Sequence, residues 1–165
     1  MKVIEMHIFG GQNLRNTILD LLKRNHIEFQ HLVHEKALTS DEGVEKTNYP
    51  KEKGIKALIV KGKQSSKRYL IAILGHQKID WKILSKILGE KCELESLDNI
   101  KEHFGLEQGG ATPFGNLLKL KTFFDESILE LDECIIGAGL STESIILHAE
   151  DLIKLVRPEI YKIAK

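Results

Sequence analysis

The chain reads as an α+β domain built on a curved, mixed β-sheet flanked by helices. Three observations predict this class. Apolar residues recur at helical spacing in some segments and as short continuous runs in others. The two kinds of segment interleave along the chain. Two strand-like runs are joined by a short polar stretch, which implies antiparallel pairing. At 165 residues, the length suits one domain, taken as residues 1–165, with one sizeable core.

Taken in order, Leu14, Ile18, Leu21 and Leu22 follow helical spacing and predict a helix over 14–24 with Asn13 as its N-cap. IEFQHLVH reads as a strand. Thr39-Ser40-Asp41-Glu42 has the capping-box pattern and opens a short helix. Pro50 and Gly54 punctuate the loop that follows. KALIVKG and YLIAIL read as strands of a hairpin across the polar KQSSKR. Asp80 caps a helix in which Ile83, Leu84, Ile87 and Leu88 share one face, and Gly89 ends it. CELES is a short strand, and Asp98 to Phe104 a short helix stopped by Gly105. Strands are expected at LLKLKTF, ECIIG and ESIILH. The tail from Ala149 reads as helix interrupted near Pro158.

Apolar residues make up 42% and charged residues 29%, which argues against a disordered chain. No apolar run approaches the roughly 20 residues of a membrane span, and the start lacks the basic-then-apolar layout of a signal peptide. A cytoplasmic protein with no membrane contact is expected. Cys92 and Cys134 are far apart, form no CxxC and sit in apolar segments, so reduced core thiols are expected. With 24 basic and 24 acidic residues the net charge is zero, which gives no support to a duplex-DNA binder. The charges are unevenly placed. Seven basic residues and one acid lie between 51 and 68, and five acids with no base between 125 and 133. That distribution fits two solvated surfaces or a positive end that meets an anionic partner.

Seven histidines raise the question of metal, but there is no HExxH and no Cys/His cluster. His31 and His34 are three apart on a predicted strand and so face opposite ways. No metal or cofactor is expected. No GxSxG marks a serine hydrolase. Gly137-Ala138-Gly139 follows a strand but lacks the helix start and third glycine of a dinucleotide site. Two glycine-rich loops remain, at 109–115 (GGATPFG) and 137–139, with Lys56 at the start of a buried strand. The loops fit plain turn chemistry. They equally fit a site where bare backbone amides approach an oxyanion or phosphate, stiffened by Pro113. Lys56 fits either a strand-end lysine that snorkels outward or an anion anchor.

GIKALIV, QGGATPFGNL and IIGAGLSTESIILHAEDLIKLV, in this order and spacing, resemble the YbaK/prolyl-tRNA-synthetase-associated domain family of trans-acting aminoacyl-tRNA deacylases. The similarity runs from about Ile27 to Val156. It implies an α+β domain on a curved mixed sheet that hydrolyses the ester of mischarged tRNA in trans. The partners it implies are mischarged aminoacyl-tRNA and an aminoacyl-tRNA synthetase. On the matching positions it assigns Lys56, Gly109, Gly110, Pro113 and Gly115 to catalysis, and His34, Thr39, Gly137, Gly139 and Ser144 to substrate binding. The chain departs from some members at Ala57, at Ser144 and at Leu140-Ser141, which bears on the amino acid recognised. An aminoacyl ester is already activated, so the expected chemistry needs no side-chain nucleophile. Lys56 would hold the terminal nucleotide, the loop amides would take the carbonyl oxygen, and the free ribose hydroxyl would position or deprotonate the water. Two rival readings keep the fold: a non-catalytic tRNA- or nucleotide-binding module, and an amino-acid-sensing regulator.

Overall fold

The computed structural model describes residues 10–165. Residues 1–9, on which the signal-peptide reading rested, lie outside that range. The first described element is helix α1 (Gly11–Arg24), which buries Leu14, Ile18 and Leu22 at four-residue spacing. It opens earlier than the sequence reading placed it. Gly10, at φ 113°, turns the chain into the helix and its carbonyl accepts from Leu14 N at 2.9 Å. Asn13 therefore sits inside the first turn and is not the cap.

Strand β1 (Phe29–Val33) leads to α2 (Ser40–Thr47), where Thr39 Oγ1 accepts from Glu42 N as a capping residue should. The reciprocal bond is displaced by one residue: the Glu42 carboxylate accepts from Leu38 N at 2.8 Å. Strands β2 (Ile55–Gly62) and β3 (Arg68–Leu74) form the expected antiparallel hairpin. Asp80 accepts from Lys82 N and Ile83 N at the start of α3 (Trp81–Leu88), which Gly89 ends in the left-handed conformation. Next come β4 (Cys92–Leu94) and α4 (Leu97–Phe104).

Part of LLKLKTF is not a strand. Residues Gly115–Leu118 form a 3-10 turn, Lys119 is left-handed, and β5 starts only at Lys121 and runs to Asp125. Leu118 reaches the core from the turn, so its apolar side chain carries no information about strand geometry. Strands β6 (Glu133–Gly137) and β7 (Glu143–His148) are antiparallel neighbours, and α5 (Ala149–Val156) follows. The tail does not resume as helix beyond Pro158. Arg157 is left-handed, and β8 (Glu159–Tyr161) joins β5 in parallel. The buried Asp125 carboxylate fixes it there, accepting from Ile163 N and Ala164 N at 2.8 Å each.

The class is the mixed α/β one expected, but the strands pair as two sheets where the sequence reading counted one. The first is antiparallel, in the order β1-β7-β6, and the second is mixed, in the order β4-β2-β3-β5-β8. A parallel bridge between Gly54 and Ile135 joins them. The main core lies where α1, α5 and facing residues of both sheets meet. β3 is buried on both sides, with Leu70 and Ala72 in this core and Ile71 and Ile73 in a second one under α3. A smaller cluster of Val44, Ile135 and Ile146 holds α2 against the first sheet. Among the described residues, no helix is long and apolar enough to cross a membrane.

Candidate active site

A cavity of about 440 Å³ opens where the two sheets join. That size falls within the roughly 300–1,000 Å³ of small-molecule sites. The Gly54–Ile135 bridge sets its position: two residues further along each strand come Lys56 and Gly137, and both line the wall. Of the residues singled out from sequence, His34, Thr39, Lys56, Gly109, Gly137 and Ser144 meet in this cavity. They come from the segment after β1, the cap of α2, β2, the first glycine loop, β6 and β7.

Lys56 is half-buried, and no carboxylate of the described residues lies within ion-pair distance of its ammonium. Burial pushes its pKa below the usual lysine range, and Asp41, the nearest acid in effect, only partly opposes this. A cation in that condition favours an anionic ligand, which restores the screening that burial removes. Lys51 and Lys63, in contrast, have acids within 4.0 Å, and Arg68 turns inward to Glu95 at 2.5 Å. The basic run of residues 51–68 is therefore not one free surface.

The glycine loop divides in two. Gly109 and Ala111 line the cavity, and among the described residues no acceptor takes their backbone amides. Gly109 has φ 85°, and a Cβ there would run into the carbonyl of Ala37, so the loop closes against the α2 approach only with glycine at this place. The other half, with Gly110, Pro113 and Gly115, does not line the cavity, contrary to the expectation that the whole loop would. Gly110 is buried and its amide donates to the Glu107 carbonyl at 2.9 Å. The Gly115 amide donates to the Pro113 carbonyl at 2.8 Å, and a Cβ on Gly115 would collide with the Thr122 side chain. Pro113 is buried beside Phe114, which is 0% exposed. These residues stiffen the loop from inside the core. Gly139 is also off the cavity wall. At φ 95° it turns the chain between β6 and β7, against the carbonyl of Gly11.

Ala111 is a residue the sequence reading missed, since nothing in an alanine side chain marks a free amide. Glu107 was missed as well. Its carboxylate accepts from both Ser141 N and Ser141 Oγ, at 3.1 and 2.7 Å, and clasps the two loops together. Those bonds hold its pKa below the usual carboxylate range.

β7 presents two histidine pairs on opposite faces. Glu143 is buried and accepts from Arg15 at 2.6 Å and pairs with His31 at 2.5 Å, fixing α1 to the back of the first sheet. Burial pulls its pKa upward, but the bonds from Arg15 and His31 outweigh that and leave it low. On the other face, Ser144 Oγ lies 2.9 Å from His34 Nε2 in the cavity. Cys134 is fully buried, its thiol pushed up to about 12 by burial, and neither cysteine lines the cavity. Among the described residues, no group of three or more His, Cys, Asp or Glu could hold a metal ion.

The sequence profile of the aminoacyl-tRNA editing domain matches residues 34–155. The chain belongs to that family. It is 27% identical over 154 residues to the multifunctional Ser/Thr-tRNA deacylase ProXp-y of Escherichia coli K12, covering 91% of this chain and 92% of the relative. Crystal structures of other proteins share its fold, among them the following two. One, of a hypothetical protein designated APE2540, has a TM-score of 0.79 at 16% identity, over 90% of this chain and 99% of that one. The other, of a proposed trans-editing enzyme for prolyl-tRNA synthetase, has a TM-score of 0.76 at 18% identity, over 92% and 96%.

Proposed function

We propose that the cavity hydrolyses the ester bond of a mischarged aminoacyl-tRNA, releasing the amino acid in trans. Lys56 carries the proposal: it is a half-buried cation without an ion-pair partner among the described residues, on the wall of the cavity where free backbone amides lie. Lys56 anchors the terminal nucleotide through its phosphate. The amides of Gly109 and Ala111 take the carbonyl oxygen as it gains charge, a contribution of about 3–4 kcal/mol per well-placed donor. An anionic side chain at the loop tip would oppose that charge, which accounts for a GGATPFG loop with none. The cavity is sized for the aminoacylated end of a tRNA and not for its stem, which stays outside.

Serine and threonine are the esters favoured, because the E. coli relative is named for them. A separate hydrolytic site suits this task, since one methylene is worth only about 1–3 kcal/mol in a synthetase pocket. The test is release of labelled amino acid from a panel of mischarged tRNAs, seryl and threonyl esters included. Release from at least one is expected. Salt-sensitive tRNA binding without release from any would replace the enzyme with a binding module.

A further inference from the structure

The edge of β2 that borders the cavity is bare in its middle. In a regular strand, alternate residues turn their N–H and C=O to opposite edges. The Gly54 carbonyl accepts from Gly75 N and Gly62 N donates to the Lys67 carbonyl, both at 2.9 Å, so even-numbered residues here bond toward β3. The Ile59 carbonyl accepts from Glu95 N at 2.9 Å and Lys63 N donates to the Lys91 carbonyl at 2.8 Å, so odd-numbered ones turn to the other edge. That edge is covered at one end by the Gly54–Ile135 bridge and at the other by Glu95 and by β4, which pairs with Val60–Gly62. Ala57 lies between these ends and lines the cavity, and among the described residues nothing bonds its N–H or C=O. No further β2–β6 pair follows the bridge, and the cavity occupies the gap between the two strands. Gly137 of β6, two residues past the bridge, packs on the glycine loop: a Cβ there would lie 2.3 Å from the Ala111 carbonyl oxygen. Ala111, whose amide is free, thus borders the same gap as Ala57.

Main-chain groups on a cavity wall call for a partner of matching kind. An aminoacyl ester brings one, because its α-carbon carries an ammonium group with three donors. Three acids line the cavity, and each is already held by protein donors: Glu95 by Arg68 and Asn99, Glu107 by Ser141, and Glu143 by Arg15 and His31. The acceptor left open on the β2 wall is the carbonyl of Ala57. We propose that the Ala57 carbonyl oxygen holds the α-ammonium group of the substrate, so that the cavity takes esters with a free amino group and rejects N-acylated ones such as peptidyl-tRNA. The proposal rests on the deacylase reading above. A charged donor makes the bond stronger than a neutral one. With the ammonium on the β2 edge, the ester carbonyl next to the α-carbon faces the Ala111 side of the same gap. An N-acyl group replaces the ammonium with an uncharged amide and directs its substituent at the strand, where the bridge and β4 close the gap on either side. Selection by the main chain leaves the side chain of the amino acid free to be read elsewhere in the cavity.

Two measurements test this, one with turnover and one without. Wild-type protein is given seryl-tRNA, its N-acetyl form, and the ester of the same size in which a hydroxyl replaces the amino group. Each rate is divided by the spontaneous hydrolysis of that ester, which removes the intrinsic effect of the ammonium. The hydroxy ester should then lose about 10–100-fold in kcat/KM, as loss of a charge-assisted bond implies, and the N-acetyl ester about 100-fold or more. A hydroxy ester within about threefold of the amino ester overturns the subsite, since nothing but the ammonium distinguishes the two. The second measurement uses the non-hydrolysable seryl amide of 3′-amino-3′-deoxyadenosine and nuclear magnetic resonance. Isotope labels on alanine carbonyl carbons and leucine amide nitrogens mark two Ala–Leu pairs, at 37–38 and 57–58, and Leu38→Met keeps only the second. The Ala57 carbonyl signal should move on saturation with the amine form and stay in place with its hydroxy counterpart. An amine form that binds without moving that signal overturns the subsite. The two readings fail separately: a moved signal with no turnover of any ester removes the deacylase and keeps the ammonium site, and turnover with a still signal does the reverse.

Discussion

Glu143 and Ser144 are consecutive residues of one strand, and each meets a histidine, His31 of β1 and His34 just after it. Their surroundings make them opposites. Glu143 also borders the cavity, but its carboxylate is committed to Arg15 and His31 and is only 8% exposed. Ser144 faces the cavity, where its one protein partner leaves it able to accept a further hydrogen bond. A strand's alternation thus separates a closed polar cluster from one still open to the cavity by a single residue. What marks the open side, among the described residues, is the polar capacity left over: Lys56 without a carboxylate within ion-pair distance, and Gly109 and Ala111 amides without acceptors. The helix side has its groups satisfied, as buried charges require.

This contrast predicts that substitutions on the cavity side cost activity and those on the helix side cost stability. The largest expected effect is at Lys56. Lys56→Ala should lower kcat/KM for mischarged tRNA by about 100-fold or more, as loss of a charge-assisted anchor implies, and leave the melting temperature nearly unchanged. A normal rate in that variant would dissolve the distinction.

Next is Glu143→Ala, which strands the Arg15 guanidinium and should destabilise the fold by about 1.5–3 kcal/mol in denaturant titration. The kcat of the folded protein should remain close to wild type. A large drop in kcat at full stability would move Glu143 to the chemical side.

Gly115→Ala sharpens the division within the glycine loop. The added methyl meets Thr122 and Leu70 in the core, so a loss of about 1–3 kcal/mol is expected, with unchanged kcat in the folded fraction.

The smallest effect concerns Glu95, a cavity-lining acid that belongs with the structural group. Burial would raise its pKa, but hydrogen bonds from Asn99, Arg68 and Ser96 N bring it to about 2, against an ordinary value of 4.5. The folded pKa lies below the unfolded one, so this contribution is complete above pH 4.5 and disappears as pH falls toward 2. Glu95→Gln should therefore show a shallower loss of stability than wild type across that window, measured by denaturant titration at stepped pH. Parallel curves for the two proteins would contradict the assignment.

The sequence made much of the site legible in kind. Lys56 and Gly109 stood out because a lysine at the start of an apolar strand and a loop with three glycines and a proline in seven residues are unusual locally, and both residues line the cavity. Gly110 and Gly115 stood out for the same reason, and their amides are committed inside the loop. Glycine content announces a close approach without saying to what. Ala111 and Glu107 gave no local signal, because an unpaired amide and a loop-bridging carboxylate exist only once the second loop is in place. The helix caps at Thr39 and Asp80 were readable because a cap is a contact within four residues. The single curved sheet was not, because ladder order depends on pairings across the whole chain.

By itself, then, the sequence determined the α+β class, the positions of the main helices and strands, and a short list of unusual residues, since all of these follow from interactions between near neighbours. Only the tertiary structure decided that the strands divide into two sheets and that Lys56 meets half of the glycine loop. It also decided that Ser144 meets His34 on the diagonal while Glu143 bonds to Arg15 of α1. Those outcomes depend on which strand edges pair and in what register, and a shift of one residue would exchange the two faces.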